Sequence, residues 1–438
     1  MKKTINIVSY ILSIVLIVAS ITIAIYFTVL KNNRLSEIPT LSEAIEEYDL
    51  PIIEMNGSMK GISKDDEVEL SVKYHSDELK FNSKATLKWQ GASSLFYEKK
   101  NYTIKFVDDK GEKNKIKIKD EWGKQSKYCL KANYIDHTSS RNVVSAKLFG
   151  QIVHSRNKLD KVNELVNGGA IDGFPVVIYL NGDFHGLYTM NIPKDKWLLD
   201  MDDTGKQAIL MADNWSSSTS MNTTMNTKDV EKSAWEIEYC STEDTAEGTD
   251  WVAESFNKVI DFVSKNNGQD FKDGISQYVD IDRAMDLMLY TLMINGKDNL
   301  SKNILWITYD GETWIPSAYD LDSTWGIFCD GNVLDEDQWM TLKDFKSHKN
   351  TNLIFKRILE NYTTEVKARY EELRQTVMST DNIIKEFASF ISLIPTEIYK
   401  YETYLYKDIP CQKTSNLAQI SYFARENLSR LDKEFDVL

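Results

Sequence analysis

The chain opens with an apolar pattern that differs from everything after it. Residues 5–30 contain no charged side chain, and Lys2 and Lys3 lie shortly before them. A membrane-spanning helix needs about 20 apolar residues, whereas the apolar core of a cleaved signal peptide has only about 7–15. The small pair Ala19-Ser20 lies inside the run and not at its end. Residues 1–30 are therefore predicted to form an uncleaved transmembrane signal anchor.

The positive charges beside this run predict its orientation. Lys2 and Lys3 lie before it, and Lys31 and Arg34 lie after it, so the two sides are nearly balanced. Positive side chains favour the cytoplasmic side of a membrane. We expect the short N-terminal tail to be cytoplasmic and the membrane-anchored body to be extracytoplasmic.

Alternating apolar and polar residues predict strands in the next part of the chain. Residues 31–60 have a mixed composition with two prolines and are predicted to be a juxtamembrane linker. Alternation begins at residues 68–72 and returns at 85–89 and 101–106, which indicates three strands. Residues 174–192 contain two apolar runs around Asn181-Gly182-Asp183, a pattern that is typical of a hairpin.

The middle of the chain mixes helix, loop and strand signals. Ser139 or Ser140 can cap a predicted helix that extends to about residue 153. Residues 200–232 are polar and rich in Ser, Thr, Asn and Met, which predicts a surface insertion. Residues 235–239 predict one more short strand.

Helical spacing dominates the rest. Apolar residues recur at three- and four-residue steps over 251–264, over 282–295 and through most of the chain beyond about residue 343. The overall order is β-rich first and helical afterwards, which predicts an α+β fold. A cleft between the two parts is the expected place for a binding site.

A short hairpin in residues 296–326 organises the candidate chemistry. Apolar runs at 304–309 and 313–315 flank Asp310-Gly311, a strong hairpin signal. Because a hairpin brings its outer ends together, Asn303 before the first run and Asp320 after the second should lie side by side.

Asp298 on the loop before this hairpin and Asp322 just after it extend the polar group. Carboxylate and amide oxygens at one end of a sheet are the ligands that a Mg²⁺–phosphate site requires. Turn or cap carboxylates are the alternative interpretation of Asp320 and Asp322. The hairpin, together with the Asp298/Asn303 spacing, favours a metal site.

Composition excludes several other functions. The net charge of −14 argues against sequence-independent binding of DNA or RNA, which needs a basic surface. The four cysteines are widely separated and form no CxxC motif, so a zinc site is not expected. A disulfide framework is not indicated either, although one distant bridge stays open. The five scattered histidines give no support to a Ser-His-Asp triad.

A small-residue turn and a lysine-bearing strand offer a place for phosphates. Gly91-Ala92-Ser93-Ser94 separates two predicted strands, and its backbone N–H groups could bind anions. Lys100 and Lys105 follow on the second strand. Alternation puts these two lysines on opposite faces, so only one of them is expected to reach a ligand.

Five stretches together resemble the CotH-like family of spore coat protein H kinases, an atypical protein kinase family. They are WQGASSLFYEKKNYTIKF, LKANYIDHTSSRNVVSAKL, VVIYLNGDFHGLYTM, WEIEYCSTED and the hairpin region 296–326. The C-terminal ARENLSRLDKEF adds a weaker match, and the resemblance covers about residues 65–438. It implies a two-lobed, atypical protein-kinase-like fold in one domain, 61–438. The β-rich N-terminal part would be 61–240, and the catalytic hairpin and helices would occupy 241–438.

The resemblance also implies an activity and a role for each candidate residue. Members transfer the γ-phosphoryl group of ATP to Ser/Thr hydroxyls of proteins with the help of Mg²⁺. Asp298 and Asn303 have the D-x-x-x-x-N spacing of a kinase catalytic loop. Asp298 would orient the acceptor hydroxyl or accept its proton. The other implied roles are metal binding by Asn303, Asp320 and Asp322, phosphate contact by Lys100 or Lys105, and a phosphate-covering loop formed by Gly91, Ser93 and Ser94.

The chain departs from the family pattern at three places. Gln90 stands where the family usually has arginine. Asn191 is the nearest candidate where a glutamate is usual. The helix after residue 140 has no acidic residue to pair with the phosphate-binding lysine, and Glu236 or Glu238 are the substitutes considered for it.

These departures keep three alternatives open. A nucleotide-binding pseudokinase would keep the site without the transfer. A surface scaffold or adhesin would keep only the fold. A metal-dependent glycosyltransferase with an Asp-x-Asp pair is a third alternative, but the strands before the pair do not alternate with helices as its donor-binding half would require.

Overall fold

The computed structural model describes residues 2–406 and 416–437. Its first element is helix α1 (Lys2–Leu35), of which Val15–Leu35 is long and apolar enough to cross a membrane, with a mean hydropathy of 1.9. The side chains of residues 15–28 are exposed. Length and composition alone support a membrane span here, and a signal sequence near an N-terminus satisfies the same two criteria.

A closed barrel follows α1 and the short helix α2 (Leu41–Glu47). Its strands have the spatial order β1-β2-β3-β4-β5-β7-β6, and it closes by parallel pairing of β1 with β6. The strands are β1 (Ile52–Asn56), β2 (Val68–His75), β3 (Lys80–Gln90), β4 (Asn101–Val107), β5 (Lys127–Lys131), β6 (Gly173–Leu180) and β7 (Asp183–Asn191).

Alternation along these strands separates the barrel core from its outer face. Leu87, Ile104 and Leu130 are buried inside, where their side chains fill the barrel. The residues between them on the same strands point outward. Lys105 and Lys131 are two of these outward residues, so the outer face of β3, β4 and β5 is rich in lysine.

A second sheet lies beside the barrel, with the order β11-β10-β8-β9. Its strands are β8 (Ala208–Ala212), β9 (Trp235–Cys240), β10 (Ile304–Thr308) and β11 (Ile315–Ala318), and each neighbouring pair is antiparallel. Strand β10, every residue of which is buried, lies between β11 and β8.

Helices surround this second sheet and make up most of the C-terminal part. Two of them precede the sheet, namely α3 (Arg141–Ser155) and α4 (Lys161–Glu164). The others are α5 (Asp250–Lys265), α6 (Gly268–Gly274), α7 (Ile281–Met293), α8 (Leu342–Ser347), α9 (Leu353–Asn361), α10 (Thr363–Gln375), α11 (Thr380–Ile391), α12 (Thr396–Leu405) and α13 (Leu417–Glu434). The fold is therefore mixed α/β, β-rich first and helical afterwards, as the sequence pattern predicts.

The structure corrects three expectations about the organisation of the chain. Residues 200–232 are not wholly a surface insertion, because Ala208–Ala212 is an inner strand with every residue buried. Residues 31–60 are not wholly a linker, because Ile52–Asn56 closes the barrel. A boundary at residue 240 would cut the second sheet, since β8 pairs with β10 across it. Strands β1 and β8 are both buried along nearly their whole length, so neither shows the alternation of apolar and polar residues that marks a half-exposed strand.

Helix α12 connects the barrel to the end of the N-terminal helix. The Glu402 carboxylate accepts a hydrogen bond from Lys99 Nζ at 2.7 Å, and both side chains are buried. On its other side, α12 presents Lys400, whose ammonium lies 2.6 Å from the Glu37 carboxylate just after α1. One helix therefore contacts both the buried lysine and the segment that follows α1.

Cys129, Cys240 and Cys329 have free thiols. Cys411 lies outside the described residues, so the prediction of one distant bridge is not tested there.

Candidate active site

A cleft of about 770 Å³ lies between the barrel and the second sheet. One wall is the outer face of β3, β4 and β5, with Lys88, Lys105 and Lys131 among its side chains. The opposite wall holds Asp298, Asn303, Asp320 and Asp322, together with residues of β9. The acidic and amide residues predicted from the 296–326 stretch therefore all line the same cleft.

The β10–β11 hairpin positions Asn303 and Asp320. Ile304 pairs with Ala318, so the two residues lie at the paired outer ends of the strands. The Tyr319 N–H donates to the Asn303 carbonyl at 3.1 Å. Asn303 and Asp320 have φ angles of 56° and 52°, in the left-handed region that Asn and Asp adopt more readily than other non-glycine residues.

Asp298 lies in a short 3₁₀ turn five residues before Asn303 and is largely buried. Its carboxylate is 3.2 Å from the Lys302 ammonium. The same ammonium lies 4.8 Å from the ring centre of Trp215. Lys302 is thus held between a carboxylate and an aromatic face, with its side chain on the cleft.

Hydrogen bonds from neighbouring amide side chains fix the acidic segment. Asn299 Nδ2 donates to the Tyr319 carbonyl at 2.9 Å, which joins the Asp298 turn to the end of β11. Asn142 Oδ1 accepts from the Leu321 N–H at 3.1 Å, between the two aspartates. These contacts hold the Asp320–Asp322 segment from both sides.

Arg141 and Asn142 lie at the start of α3, and the structure gives the arginine a supporting position. The Arg141 side chain is fully buried and pairs with Asp136 at 2.5 Å. Its Nε donates to the Thr324 carbonyl at 3.1 Å. Arg141 therefore anchors the segment after Asp322, and Asn142 lines the cleft itself.

The donor set on this wall fits a magnesium ion. Burial, and then repulsion from the Asp320 carboxylate, raise the pKa of Asp322 to about 8. A divalent cation between the two carboxylates would remove that repulsion. Among the described residues, no three His, Cys, Asp or Glu side chains form a complete cage. Magnesium commonly uses only one or two carboxylates and completes its shell with substrate phosphates and water.

The small-residue loop, residues 91–94, is part of the cleft lining. Gly91 has a φ of 116°, and a Cβ at this position would lie 2.0 Å from Ser94 Oγ, so the turn requires glycine. The N–H groups of Ala92, Ser93 and Ser94 have no acceptor among the described residues, and all three residues line the cleft. They are therefore available as donors to an anion.

Tyr97, which follows this loop, contacts residues on the opposite wall. Its hydroxyl donates to the Cys329 carbonyl at 3.1 Å. Its ring stacks on Tyr134 with 4.8 Å between the ring centres. The loop is thus held on both sides of the cleft.

The two lysines predicted to contact phosphate differ in position. Lys105 lines the cleft, and its ammonium is 2.6 Å from the Glu67 carboxylate. The Lys100 ammonium donates to the carbonyls of Leu95 and Tyr97 and is not among the residues that line the cleft. Lys100 therefore fastens the 93–97 turn, and its role as a phosphate contact stays a prediction.

Lys131 is a cleft lysine that the sequence reasoning missed. It is the last residue of β5 and is partly buried, and no carboxylate within the described residues lies within ion-pair distance of it. Its positive charge acts to lower the pKa of Asp322 across the cleft. The alternation in KYCLK, with Tyr128 and Leu130 buried inside the barrel, was the available signal, because it places Lys131 on the outer face.

The remaining departures and substitutes also have defined positions. Lys194 pairs with Glu238 and lies 3.7 Å from Glu236, so these acids do not pair with Lys100 or Lys105. Burial raises the pKa of Glu238 to about 7, although Lys194 acts against this.

The two residues that depart from the family pattern, Gln90 and Asn191, lie beside the same cysteine. The Gln90 amide donates to Cys129 Sγ at 3.4 Å, and Asn191 is the cross-strand neighbour of Cys129. Gln90 and Asn191 are therefore both neighbours of Cys129 on strand β5 of the barrel.

Comparison with known families agrees with this geometry. The family model described as CotH kinase protein matches residues 87–429, which is most of the chain. The chain belongs to the CotH kinase family. No curated protein matches it closely enough for comparison. Membership indicates a kinase-like protein, with nucleotide and metal use in general terms.

Proposed function

We propose that this CotH family member is an ATP- and Mg²⁺-dependent protein kinase. It transfers the γ-phosphoryl group to Ser or Thr hydroxyls of a surface or spore-coat-type protein. It is anchored in the membrane by its N-terminal helix, with the body outside the cytoplasm. The region from β1 onward, which contains the barrel, the second sheet and the C-terminal helices, acts as the kinase domain.

The observation that supports this function best is the opposition of charges across one cleft. Asp298, Asn303, Asp320 and Asp322 lie on one side, and Lys131 and the unpartnered loop N–H groups lie on the other. Phosphoryl transfer is mainly positioning and charge neutralisation, so it needs carboxylates for a metal, cations and backbone donors. Histidine and cysteine chemistry is not required.

Different residues bind the phosphates and the metal of a bound nucleotide. The N–H groups of Ala92, Ser93 and Ser94 bind phosphate oxygens from above, and Lys131 contacts them from the barrel wall. Lys302 neutralises charge near the reacting end. Bound Mg²⁺ supplies charge neutralisation at the phosphate oxygens. Asn303, Asp320 and Asp322 would hold it.

Asp298 acts on the acceptor. Its carboxylate orients the Ser or Thr hydroxyl and takes its proton as the oxygen bonds to the γ-phosphorus. The bond from that phosphorus to the bridging oxygen breaks, and ADP leaves with the electron pair. Lys302, 3.2 Å from Asp298, keeps the carboxylate in place.

Transfer of label from γ-labelled ATP tests the proposal. The full chain in detergent should label itself or a Ser/Thr-rich protein in the presence of Mg²⁺. The Asp320→Ala variant should lose this labelling, by at least about a thousandfold, because the metal loses a carboxylate. Asp337→Ala, at an exposed position that does not line the cleft, is the matched control and should label normally.

A parallel thermal-shift panel separates the other outcomes. Stabilisation by ATP with Mg²⁺ but no labelling would identify a pseudokinase and overturn the proposed transfer. Stabilisation by a nucleotide sugar and not by ATP would point to a glycosyltransferase. Absence of any nucleotide response would leave a scaffold.

A further inference from the structure

A second cavity, of about 440 Å³, lies apart from the cleft between the two sheets. No described residue lines both cavities. The lining of the second cavity comes from residues 121–123, from residues 161–167 in and after α4, from Asp172, and from residues 192–200 in the connection from β7 to β8. Ligand-binding cavities have about this volume, with mostly apolar walls and a few polar groups. The proposed phosphoryl transfer uses none of the residues in this lining.

Aromatic and aliphatic side chains form the inner wall of this second cavity. Trp122, Ile192 and Leu198 are buried, and Trp197 is half-buried. A Cβ on Gly123 would lie 3.9 Å from Trp197 Nε1, so the second indole lies beside the turn that carries the first. The face of an indole ring attracts a cation, and its large apolar surface packs well against an alkyl chain.

Carboxylates dominate the exposed part of the lining. Glu121, Glu164 and Asp200 are exposed, and the fourth exposed residue is Val166. Among the described residues that line the cavity, Lys161 is the one cation, and its ammonium lies 3.8 Å from the Asp200 carboxylate. In the described chain, no Lys or Arg lies within ion-pair distance of Glu164. The mouth of the cavity is therefore acidic.

A lysine of the chain itself already binds to one part of this wall. The Lys119 ammonium lies 5.0 Å from the ring centre of Trp122 and 3.4 Å from the Asp172 carboxylate. The Trp122 indole N–H donates to the same carboxylate at 2.7 Å, which fixes the ring. Asp172 is the fourth carboxylate of the lining, against Lys161 within it and Lys119 beside it. The local charge therefore remains negative and attracts a further cation.

An alkyl stem with a cationic end fits both parts of the cavity. Arg and Lys side chains bury such a stem on apolar surface and keep the charged end near water. The volume of about 440 Å³ is larger than one such side chain, so neighbouring residues of the same segment can enter as well. Val166, which is 59 % exposed, offers them an apolar contact. These features favour a segment of protein over a free amine.

We propose that this cavity binds an Arg or Lys side chain of a partner protein. The stem packs against Trp122 and Trp197, and the charged end lies beside Glu164 and Asp200. The proposal is independent of the proposed kinase activity, since no residue of the cleft takes part in it.

Fluorescence anisotropy of labelled peptides on the full chain in detergent, without ATP, tests this site. The first peptide has about seven residues, with a central Arg between two Leu residues and Gly-Ser ends. A second peptide replaces Arg with citrulline, which keeps the shape of the side chain and removes its charge, and a third replaces Arg with Glu. The first peptide should bind at least about tenfold more tightly than either of the others, because only its central residue is cationic.

Two variants then locate the site. Val166→Lys adds a positive charge at an exposed position of the mouth, which leaves the core intact, and should weaken the Arg peptide about tenfold. Trp197→Ala should weaken it by about the same factor, and Trp197→Phe should recover most of the affinity. Trp215→Ala removes an indole that is 42 % exposed and lines neither cavity, so this matched control should bind like the original chain. Asp320→Ala, in the cleft, should also leave the peptide affinity unchanged.

Equal affinity for the Arg and citrulline peptides would overturn the proposal, and so would unchanged affinity in both Val166→Lys and Trp197→Ala. Free agmatine, a guanidinium on an alkyl stem, distinguishes the two sources of the cation. Displacement of the Arg peptide only by a large excess of agmatine supports a protein segment, whereas agmatine binding without peptide binding would overturn it. Peptide binding that persists in a chain without phosphoryl transfer would retain this site and count only against the kinase activity.

Discussion

The barrel wall of the cleft presents lysines from separate strands, whereas the opposite wall presents carboxylates and an amide from one hairpin and its flanks. Lys88, Lys105 and Lys131 come from β3, β4 and β5. Asn303 and Asp320 are contributed by the two ends of one β-hairpin. The chain as a whole has a net charge of −14, so the basic wall is a local exception to the overall charge.

This difference defines what the cleft can bind. A ligand between the walls meets cations on one side and metal-binding oxygens on the other. A nucleoside polyphosphate with a divalent cation satisfies both sides, since phosphate oxygens face the lysines and the cation faces the carboxylates. A simple polyanion or a simple cation would satisfy only one wall.

The largest expected effect concerns the buried ion pair between Lys99 and Glu402, which joins the barrel to α12. Lys99→Met leaves Glu402 buried without its cation, and such a loss costs about 3–5 kcal/mol of folding stability. The melting temperature of the full chain in detergent should fall accordingly. Lys105→Met, which removes an exposed pair with Glu67, is the matched control and should change stability by less than about 1 kcal/mol.

Replacing both Lys99 and Glu402 tests whether the lost stability comes from an unpaired buried charge. Lys99→Met with Glu402→Leu should recover most of the lost stability, because no buried charge remains. Equal melting temperatures for Lys99→Met and Lys105→Met would show that the barrel wall does not depend on this pair.

The second effect separates the two cleft lysines Lys131 and Lys105. Lys131→Met should raise the Kd for ATP with Mg²⁺ about thirtyfold, or about 2 kcal/mol, because a charged hydrogen bond to phosphate is lost. Lys105→Met should have a smaller effect, since its ammonium is already paired with Glu67. Calorimetric titration of both variants gives the comparison. A larger loss for Lys105 than for Lys131 would return the phosphate contact to Lys105.

The acidic wall was easier to predict from sequence than the basic wall, for a physical reason. Asn303 and Asp320 are brought together by one local hairpin, and Asp310-Gly311 indicates that hairpin directly. The distance between the two residues therefore depends on one turn. Short turn motifs such as Asp-Gly are among the strongest structural signals in a single sequence.

The basic wall depends on long-range strand pairing, which a single sequence does not show. Lys131 reaches the cleft because β5 pairs with β4 and β7 and because the barrel turns its outer face to the second sheet. The Lys99–Glu402 contact joins residues 303 positions apart. Strand β8 was missed for a similar reason, because five apolar residues within a polar segment show their role only when β10 pairs with them.

The smallest effect is a loss of stability in acid that comes from His185 in β7 of the barrel. Burial, and then the charge of Lys99, lower the pKa of His185 to about 4. One of its ring nitrogens is 3.1 Å from the Tyr102 hydroxyl, and its ring stacks on Tyr188. Since the unfolded chain protonates this histidine near pH 6.5, it binds more protons than the folded chain between about pH 6.5 and 4.

The histidine therefore stabilises the fold above about pH 6.5, and that contribution declines as the pH falls toward about 4. The decline should amount to about 1–2 kcal/mol, because solvent reaches part of the ring and reduces the full difference. His185→Gln should flatten the melting temperature over this pH range and leave it unchanged near pH 8. His154→Gln replaces a histidine of α3, outside the barrel, and is the matched control. If His185→Gln melts with the same pH slope as the original chain, the barrel wall has another acid-sensitive group and the histidine is not responsible.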